Sequence, residues 1–180
     1  MRKLLVLLLL LAGPGLLFAQ SRGKQKKADQ QTAAWRYEIE NLGVVATAGN
    51  KVFKVWSYAS DPRVAMEQAK KNAIHGILFK GMADSGRAKG CSPLVPAGVS
   101  GHEAFFDAFF APGGDYMRYV ALTTSGEVAA EDVLRVSKKE YKIGVIVTVQ
   151  YDNLRRRLEQ EGIVAVSYTH LRAHETLRHL

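Results

Sequence analysis

Alternation of apolar and polar residues predicts a strand that leads directly into a long helix near the middle of the chain. Residues 52–58 (VFKVWSY) are rich in β-branched and aromatic side chains, which suit a half-buried strand. Asp61 and Pro62 then offer a capping carboxylate and a proline for the first helical turn. From there to about Lys80, small apolar residues recur every three or four positions: Ala65, Ala69, Ala73 and Ile77. This alanine stripe predicts a helix lying close against a sheet, with large strand residues such as Trp56 filling the space between.

The same patterns predict further strands and two shorter helices. Strand patterns recur at residues 35–40, 116–122, 133–137 and 141–149. One short helix should follow the capping-box pair Ser100 and Glu103, and another should run between Asp152 and Gly162. Residues 82–101 carry several glycines and prolines, so we expect a long irregular loop there. The predicted fold class is α+β: a single domain with a mainly antiparallel sheet of four to five strands, packed by one long alanine-rich helix and two shorter helices.

The beginning of the chain differs in composition from this domain. Residues 1–19 have a basic start and an apolar run broken at residues 13–15, which is typical of a cleaved secretory signal peptide. The run is shorter than a spanning helix requires, although an uncleaved anchor is the alternative. Gln20 follows instead of cysteine, so we expect no lipid anchor. Residues 20–32 hold almost no apolar side chain and predict a flexible basic leader before a single domain at 33–165.

Charge and compartment narrow the classes of function. The chain has a formal net charge of +8, but much of it lies in the predicted signal peptide and leader. The remaining domain is nearly neutral, so we do not expect nucleic-acid binding. Export with removal of the signal peptide predicts a periplasmic or secreted protein whose mature chain has no transmembrane span.

The last residues predict a tail that is not native. Residues 166–176 (VSYTHLRAHET) resemble the translation of a transposase-type sequencing adapter. We therefore expect 166–180 to be adapter-derived and the domain to be truncated after about Ala165. His170 and His174 have the i,i+4 spacing of a metal site, but within such a tail they predict none.

No catalytic or cofactor-binding motif is present, and the candidate site residues are few. Cys91 is the only cysteine, which excludes an intrachain disulfide and leaves an inert thiol, an intermolecular bridge or a nucleophile as alternatives. His102, Glu103 and Asp107 lie within one helical turn and a half, a spacing that general acid–base chemistry could use. We predict no cofactor, no metal and no established catalytic residue.

Two segments carry a resemblance to known families. Residues 141–149 (YKIGVIVTV) followed by 154–163 (LRRRLEQEGI) resemble the strand–helix ending of small exported domains of Gram-negative bacteria. Examples are the N-terminal domain of flagellar assembly protein T and related envelope lipoproteins. Residues 54–58 (KVWSY), with 68–73 (QAKKNA) and the following His75, look like an uncharacterised exported α+β family of Bacteroidetes. The resemblance implies a cell-envelope location and brings no catalytic residues.

These observations predict an exported accessory module that works by binding a protein partner, within a cell-envelope assembly. Two alternatives remain open at this point. One is a small envelope hydrolase that uses residues 82–101 as a lid over Cys91, His102 and Glu103. The other is a structural subunit that self-associates through exposed strand edges. The ligand and the oligomeric state are not predicted.

Overall fold

The computed structural model describes residues 35–123 and 128–166, together with Gly23, Lys27, Ala28 and Gln30. The predicted signal peptide, most of the predicted leader and nearly all of the adapter-like tail lie outside these residues. Ala28 is only 1% exposed and belongs to the hydrophobic core. Because most of their residues are not described, the flexible leader and the tail stay predictions.

The described residues form one α+β domain, which confirms the predicted fold class. The strands are β1 (Tyr37–Glu40), β2 (Lys51–Ala59), β3 (Val120–Leu122), β4 (Val133–Arg135) and β5 (Tyr141–Val149). The helices are α1 (Pro62–Phe79), α2 (Glu103–Phe109) and α3 (Tyr151–Gln160), with short 3-10 helices at Asp115–Tyr119 and Ala130–Asp132. All strand pairs are antiparallel.

The sheet is built around β2 and β5, its two longest strands. The order is β1, β2 and β5, and both β3 and β4 pair with the far edge of β5. Val120 of β3 pairs with Val149, whereas Val133 of β4 pairs with Ile143. The two short strands therefore cover opposite ends of the same edge.

The alanine stripe of α1 packs on one face of this sheet, as the sequence predicts. Ala65, Ala69, Ala73 and Ile77 are fully buried, and α1 contacts both β2 and β5. The strand residues buried on the same face are Phe53, Val55, Ala59, Ile143, Val145, Val147 and Val149. Because alanine projects so little from the helix, the β-branched and aromatic strand residues supply most of the core volume between helix and sheet.

The predicted position of Trp56 is wrong, because this residue lies on the opposite, open face of the sheet. Its Nε1–H donates to the Glu40 carboxylate at 2.7 Å. A Cβ on Gly144 would stand 3.0 Å from the Trp56 ring, so the absence of a side chain there lets the indole lie flat on β5. Phe53, with the parity of the buried strand positions, fills the space under α1.

Asp61 caps α1, which confirms the predicted start of the helix. Its carboxylate accepts hydrogen bonds from the backbone N–H groups of Arg63 at 3.1 Å and Val64 at 3.0 Å. Pro62 occupies the first helical position, where an N–H would have no partner.

We expect Asp61→Ala to lower the free energy of unfolding by about 1 kcal/mol, because two backbone donors lose their acceptor. Urea unfolding followed by circular dichroism measures the difference. Arg63→Ala is the matched control. Arg63 lies two residues after Asp61 with its side chain exposed, so its substitution should change stability by less than about 0.5 kcal/mol. Equal effects of the two substitutions would contradict the capping role.

The strand predicted at residues 116–122 is wrong in its first part. Within predicted strand 116–122, the first part is the 3-10 helix Asp115–Tyr119 and only Val120–Leu122 is strand. Tyr116 is buried and Tyr119 is half-buried, so both face the domain at the three-residue spacing of a 3-10 turn rather than the two-residue spacing of a strand. The alternation of apolar residues misled the prediction, because a three-residue period and a two-residue period agree over short stretches.

The predicted caps of the shorter helices also differ from the structure. The N-cap of α2 is His102 rather than Ser100, although the Glu103 carboxylate does accept from the Gly101 N–H at 3.0 Å. The N-cap of α3 is Gln150 rather than Asp152, which lies in the first turn and donates its backbone N–H to Gly49. Gly162 has φ +70° just after α3, which confirms the predicted left-handed residue at that end.

Candidate functional site

The surroundings of Cys91 do not favour a reactive thiolate. Its backbone pairs with Met82 in both directions, at 2.8 and 2.9 Å. Burial raises the pKa of the Cys91 thiol, and the nearby Lys51 ammonium and the Met82 N–H offset this only in part. A nucleophilic cysteine needs a lowered pKa, so this environment favours an inert thiol.

Of the other predicted candidates, Glu103 and Asp107 lie on α2 and His102 is its N-cap residue. Glu103 receives hydrogen bonds from its own backbone N–H and that of Gly101, which lower the pKa of its carboxyl group. Asp107 is exposed on the same helix. In the part of the chain that the structure describes, no hydrogen bond, ion pair or ring contact joins Cys91 to His102, Glu103 or Asp107. The described part of the chain also contains no group of three His, Cys, Asp or Glu side chains that could hold a metal ion.

The segment 82–101, predicted to be a long irregular loop, is anchored to α1 through backbone hydrogen bonds. Leu94 donates to the Ile77 carbonyl at 3.2 Å, and Val95 donates to the Leu78 carbonyl at 2.8 Å. Both donors are buried, with 8% and 6% exposure. A lid must open, and these contacts hold the middle of the segment against the end of the helix.

A concave site on the described surface lies between two loops that are distant in the sequence. We call it the loop cleft. It is formed by the connection between β1 and β2 and by the loop that follows α1, and its volume is about 250 Å³. The lining residues are Asn41, Val44, Val45, Ala46, Asn50, Lys51, Val52, Met82, Arg87, Ala88 and Lys89.

The first wall of the loop cleft is fixed by Asn41. Its side-chain amide donates to the carbonyls of Ala83 at 2.9 Å and Ala88 at 3.2 Å, and its oxygen accepts from the Gly43 N–H at 3.1 Å. Gly43 has φ +71°, a conformation that glycine adopts readily. One amide side chain therefore ties the β1–β2 connection to the opposite loop.

The second wall is fixed by Lys51 and Gly90. The Lys51 ammonium donates to the carbonyls of Lys89 at 2.8 Å and Gly90 at 3.0 Å. The Gly90 N–H in turn donates to the Asp84 carboxylate at 2.7 Å. A Cβ on Gly90 would stand only 1.9 Å from the Met82 carbonyl oxygen, so the tight pairing of this loop requires glycine. The cleft is thus preformed rather than assembled on binding.

The surface of the loop cleft combines exposed apolar and basic side chains. Val44 is 52% exposed and Val45 is 71% exposed. The exposed fraction of Val45 is higher than that of any other large apolar residue of the described chain. Arg87 and Lys89 are exposed, and neither forms an ion pair with any described residue. Exposed apolar side chains on a rigid loop are a feature of binding surfaces.

A second, more polar cleft lies where the β1–β2 connection approaches α3. Its volume is about 410 Å³, and Gln150, Asn153 and Arg156 are among its lining residues. Asn153 donates to the Gln150 side chain at 2.6 Å, and Arg156 donates to Asn153. Because these polar groups already bind one another, they present fewer free donors to a ligand than the loop cleft does.

The open face of the sheet is covered by charges that neutralise one another. Ion pairs join Lys142 to Glu38 at 2.7 Å, Lys54 to Asp132 at 2.6 Å and Arg36 to Glu140 at 2.8 Å. Long charged side chains also lie over Trp56 and Tyr58, where they shield the aromatic rings from water. A partner would have to break these pairs, so this face is a poorer candidate than the loop cleft.

His75 of α1 forms part of a half-buried aromatic cluster. Its ring stacks on Trp35 with centroids 3.7 Å apart, and its Nδ1 lies 2.6 Å from the Tyr37 hydroxyl. Burial, with a smaller effect from Lys80, lowers the pKa of His75 to about 4. The neutral His75 ring and the Tyr37 hydroxyl share a hydrogen bond whose direction is set by the tautomer of the ring, and this pair links β1 to α1.

Comparison with known proteins assigns no family. No protein-family model, no curated protein and no solved structure matches the chain. None of the helices among the described residues combines the length and apolar content needed to cross a bilayer.

Sequence reasoning missed the loop cleft, although one signal was present. The segment 42–48 (LGVVATA) is unusually apolar for a connection between two antiparallel strands. Loops are normally polar because they face water. An apolar loop facing a glycine-rich basic segment could therefore have been predicted as a binding surface, but the pairing of the two loops is not visible in the sequence.

Proposed function

We propose that the protein is an exported, non-catalytic accessory module that binds a protein partner through the loop cleft, within an assembly of the cell envelope. The observation that carries this proposal is the exposure of Val44 and Val45 on a loop that Asn41 holds rigid. A preformed surface lowers the entropic cost of association. The basic, apolar start of the chain and the resemblance to exported families support the location.

The arrangement of the polar residues supports binding over hydrolysis. Catalysis of acyl transfer needs a nucleophile, a base and an oxyanion site in mutual contact. Here the thiol of Cys91 has a raised pKa and forms no hydrogen bond with His102, and the segment proposed as a lid is anchored to α1. Glu103 is already engaged by backbone N–H groups.

The sheet edges favour a partner other than a second copy of the chain. The outer strands are short: β1 has four residues, and β3 and β4 have three each. Charged side chains, among them Arg36, Glu38 and Glu40, flank or occupy β1. Short and charged edges are the features by which proteins avoid edge-to-edge pairing.

Site-specific photo-crosslinking tests the proposed function. A photo-reactive phenylalanine analogue replaces Val45 in the full chain, which is then irradiated in intact cells that export it. We expect a discrete protein adduct at position 45, and an adduct at least about tenfold weaker when the analogue replaces Met117. Met117 is the matched control because it is 37% exposed and lies on the 3-10 helix, outside the loop cleft.

Two results would contradict the proposed function. One is a failure of the crosslinking contrast, in which position 45 gives no discrete adduct or no stronger adduct than position 117. The other is turnover of a hydrolase substrate panel by the purified full chain, with loss of that turnover in His102→Ala. The second result would favour the envelope hydrolase instead.

A further inference from the structure

We infer that the partner segment bound by the loop cleft is an acidic peptide carrying one large apolar side chain. This inference rests on the proposed function and adds the chemistry of the partner. The apolar side chain would enter the cleft between the two loops, and the carboxylates beside it would lie against Arg87 and Lys89.

The charge around the loop cleft points to an anionic partner. Three cations line it, Lys51, Arg87 and Lys89, and no carboxylate does. The nearest acid in the same loop is Asp84, which already accepts a hydrogen bond from the Gly90 N–H. Elsewhere on the domain, several cations are paired with carboxylates, as Lys54, Lys142 and Arg155 are. The cations of the loop cleft thus lack the compensation found on the open face.

The size of the loop cleft points to a side chain rather than a cofactor. Pockets for small molecules and cofactors usually hold about 300–1,000 Å³. The loop cleft holds about 250 Å³, and its apolar lining comes from Val44, Val45, Val52 and Met82. A phenylalanine or leucine side chain fits this volume and would cover the two exposed valines.

The three cations of the loop cleft have different roles, because only Lys51 is hydrogen-bonded within the cleft wall. Its ammonium is held by two loop carbonyls, so Lys51 fixes the wall of the cleft and adds a positive field. Arg87 and Lys89 are exposed and make no ion pair with a described residue, so their side chains can reach the carboxylates of a bound peptide. Arg87 offers the bidentate geometry that carboxylates prefer.

Binding of defined peptides to the full chain tests this inference. The probe is a fluorescein-labelled heptapeptide of alternating glutamate and aspartate with a central phenylalanine, and fluorescence anisotropy measures its affinity. Two further peptides replace the phenylalanine with alanine or the acids with lysines. We expect the first peptide to bind, its alanine form to bind about tenfold more weakly and the lysine form not to bind. Binding should weaken as ionic strength rises, because screening reduces the attraction between exposed charges.

Matched variants locate the binding to the loop cleft. We expect Arg87→Glu with Lys89→Glu to weaken binding at least about tenfold, whereas Lys138→Glu with Lys139→Glu, an equal charge change in the turn before β5, should not. Val45→Ser should weaken binding about fivefold, whereas Leu134→Ser, at an exposed position of 48%, should not. Arg87→Gln with Lys89→Gln repeats the test without new negative charge. Circular dichroism confirms that each variant is folded.

The possible failures can be told apart. If the Val45 adduct forms but the acidic phenylalanine peptide neither binds nor competes with it, the binding function stands and the inferred partner chemistry is wrong. Equal loss of binding in the Lys138 and Lys139 variant would also overturn the inference, because net charge alone would explain it. Vesicles of phosphatidylcholine with about one-third phosphatidylglycerol test whether the loop cleft binds an anionic membrane surface instead of a peptide. Binding to these vesicles through Arg87 and Lys89, without peptide binding, would replace the peptide by a membrane surface.

Discussion

Phe53→Ala is expected to lower the free energy of unfolding by about 3–5 kcal/mol, whereas Trp56→Ala should lower it by only about 1–2 kcal/mol. Phe53 is fully buried beneath α1. Removing its ring would leave a cavity beneath the helix, and the buried alanines of α1 are too short to fill it. Trp56 is larger but half-buried, and water can occupy part of the space it leaves on the open face. The expected order is therefore the reverse of the order of side-chain size.

Guanidinium unfolding of the two variants, followed by circular dichroism, measures this difference. Phe53→Leu is the matched control for Phe53→Ala and should cost about 1–2 kcal/mol, because most of the buried volume is kept. A larger loss of stability for Trp56→Ala than for Phe53→Ala would mean that the two faces of β2 have been assigned the wrong way round.

The sequence predicts most of the fold because its periodic segments are long. The alanine stripe of α1 and the alternation of β5 each extend over several turns or pleats, so their type and buried face are defined locally. Asp61 and Gly162 mark helix ends through their own backbone and side-chain chemistry, and both are confirmed. The short strand at 120–122 was harder to predict, since three residues cannot establish a period.

The error at Trp56 has a physical cause that the sequence already contains. Trp56 shares its strand parity with Lys54 and Tyr58, while Phe53 shares its parity with Val55, Ser57 and Ala59. Judged by size, Trp56 is the obvious core residue. Judged by parity, it belongs with a lysine, and the lysine decides the face because burying an unpaired ammonium costs more than exposing part of an indole ring.

The candidate site could not be predicted in the same way. Cys91, His102, Glu103 and Asp107 were chosen for their chemistry, but a site also requires that its groups meet in space. The loop cleft depends on hydrogen bonds between Asn41 and the 82–91 loop, across more than forty residues of sequence. Such a long-range contact leaves no periodic signal, so the tertiary structure was needed to find it.

The aromatic cluster around His75 leads to the second large effect, a loss of stability in mild acid. The folded protein binds a proton on His75 only near pH 4, whereas an unfolded chain binds it near pH 6.5. The unfolded state therefore takes up more protons between these values, and the free energy of unfolding falls as the pH falls through this window. The shift corresponds to about 3 kcal/mol, which partial exposure of the ring reduces to about 2 kcal/mol. Above pH 6.5 the contribution is fully present.

His75→Gln isolates this effect, because glutamine can form a hydrogen bond with the Tyr37 hydroxyl in either direction and does not titrate. Urea unfolding at intervals from pH 7 to pH 4 should show a decline in stability that is about 2 kcal/mol smaller in His75→Gln than in the unsubstituted chain. Carboxylates such as Glu38 and Glu103, whose pKa values are lowered, contribute equally to both proteins and cancel in the difference. His102→Gln removes a histidine outside the cluster and should keep the full decline, because His75 is still present. If the two variants behave alike, the lowered pKa of His75 does not cause the acid-induced loss of stability, and other titrating groups must account for it.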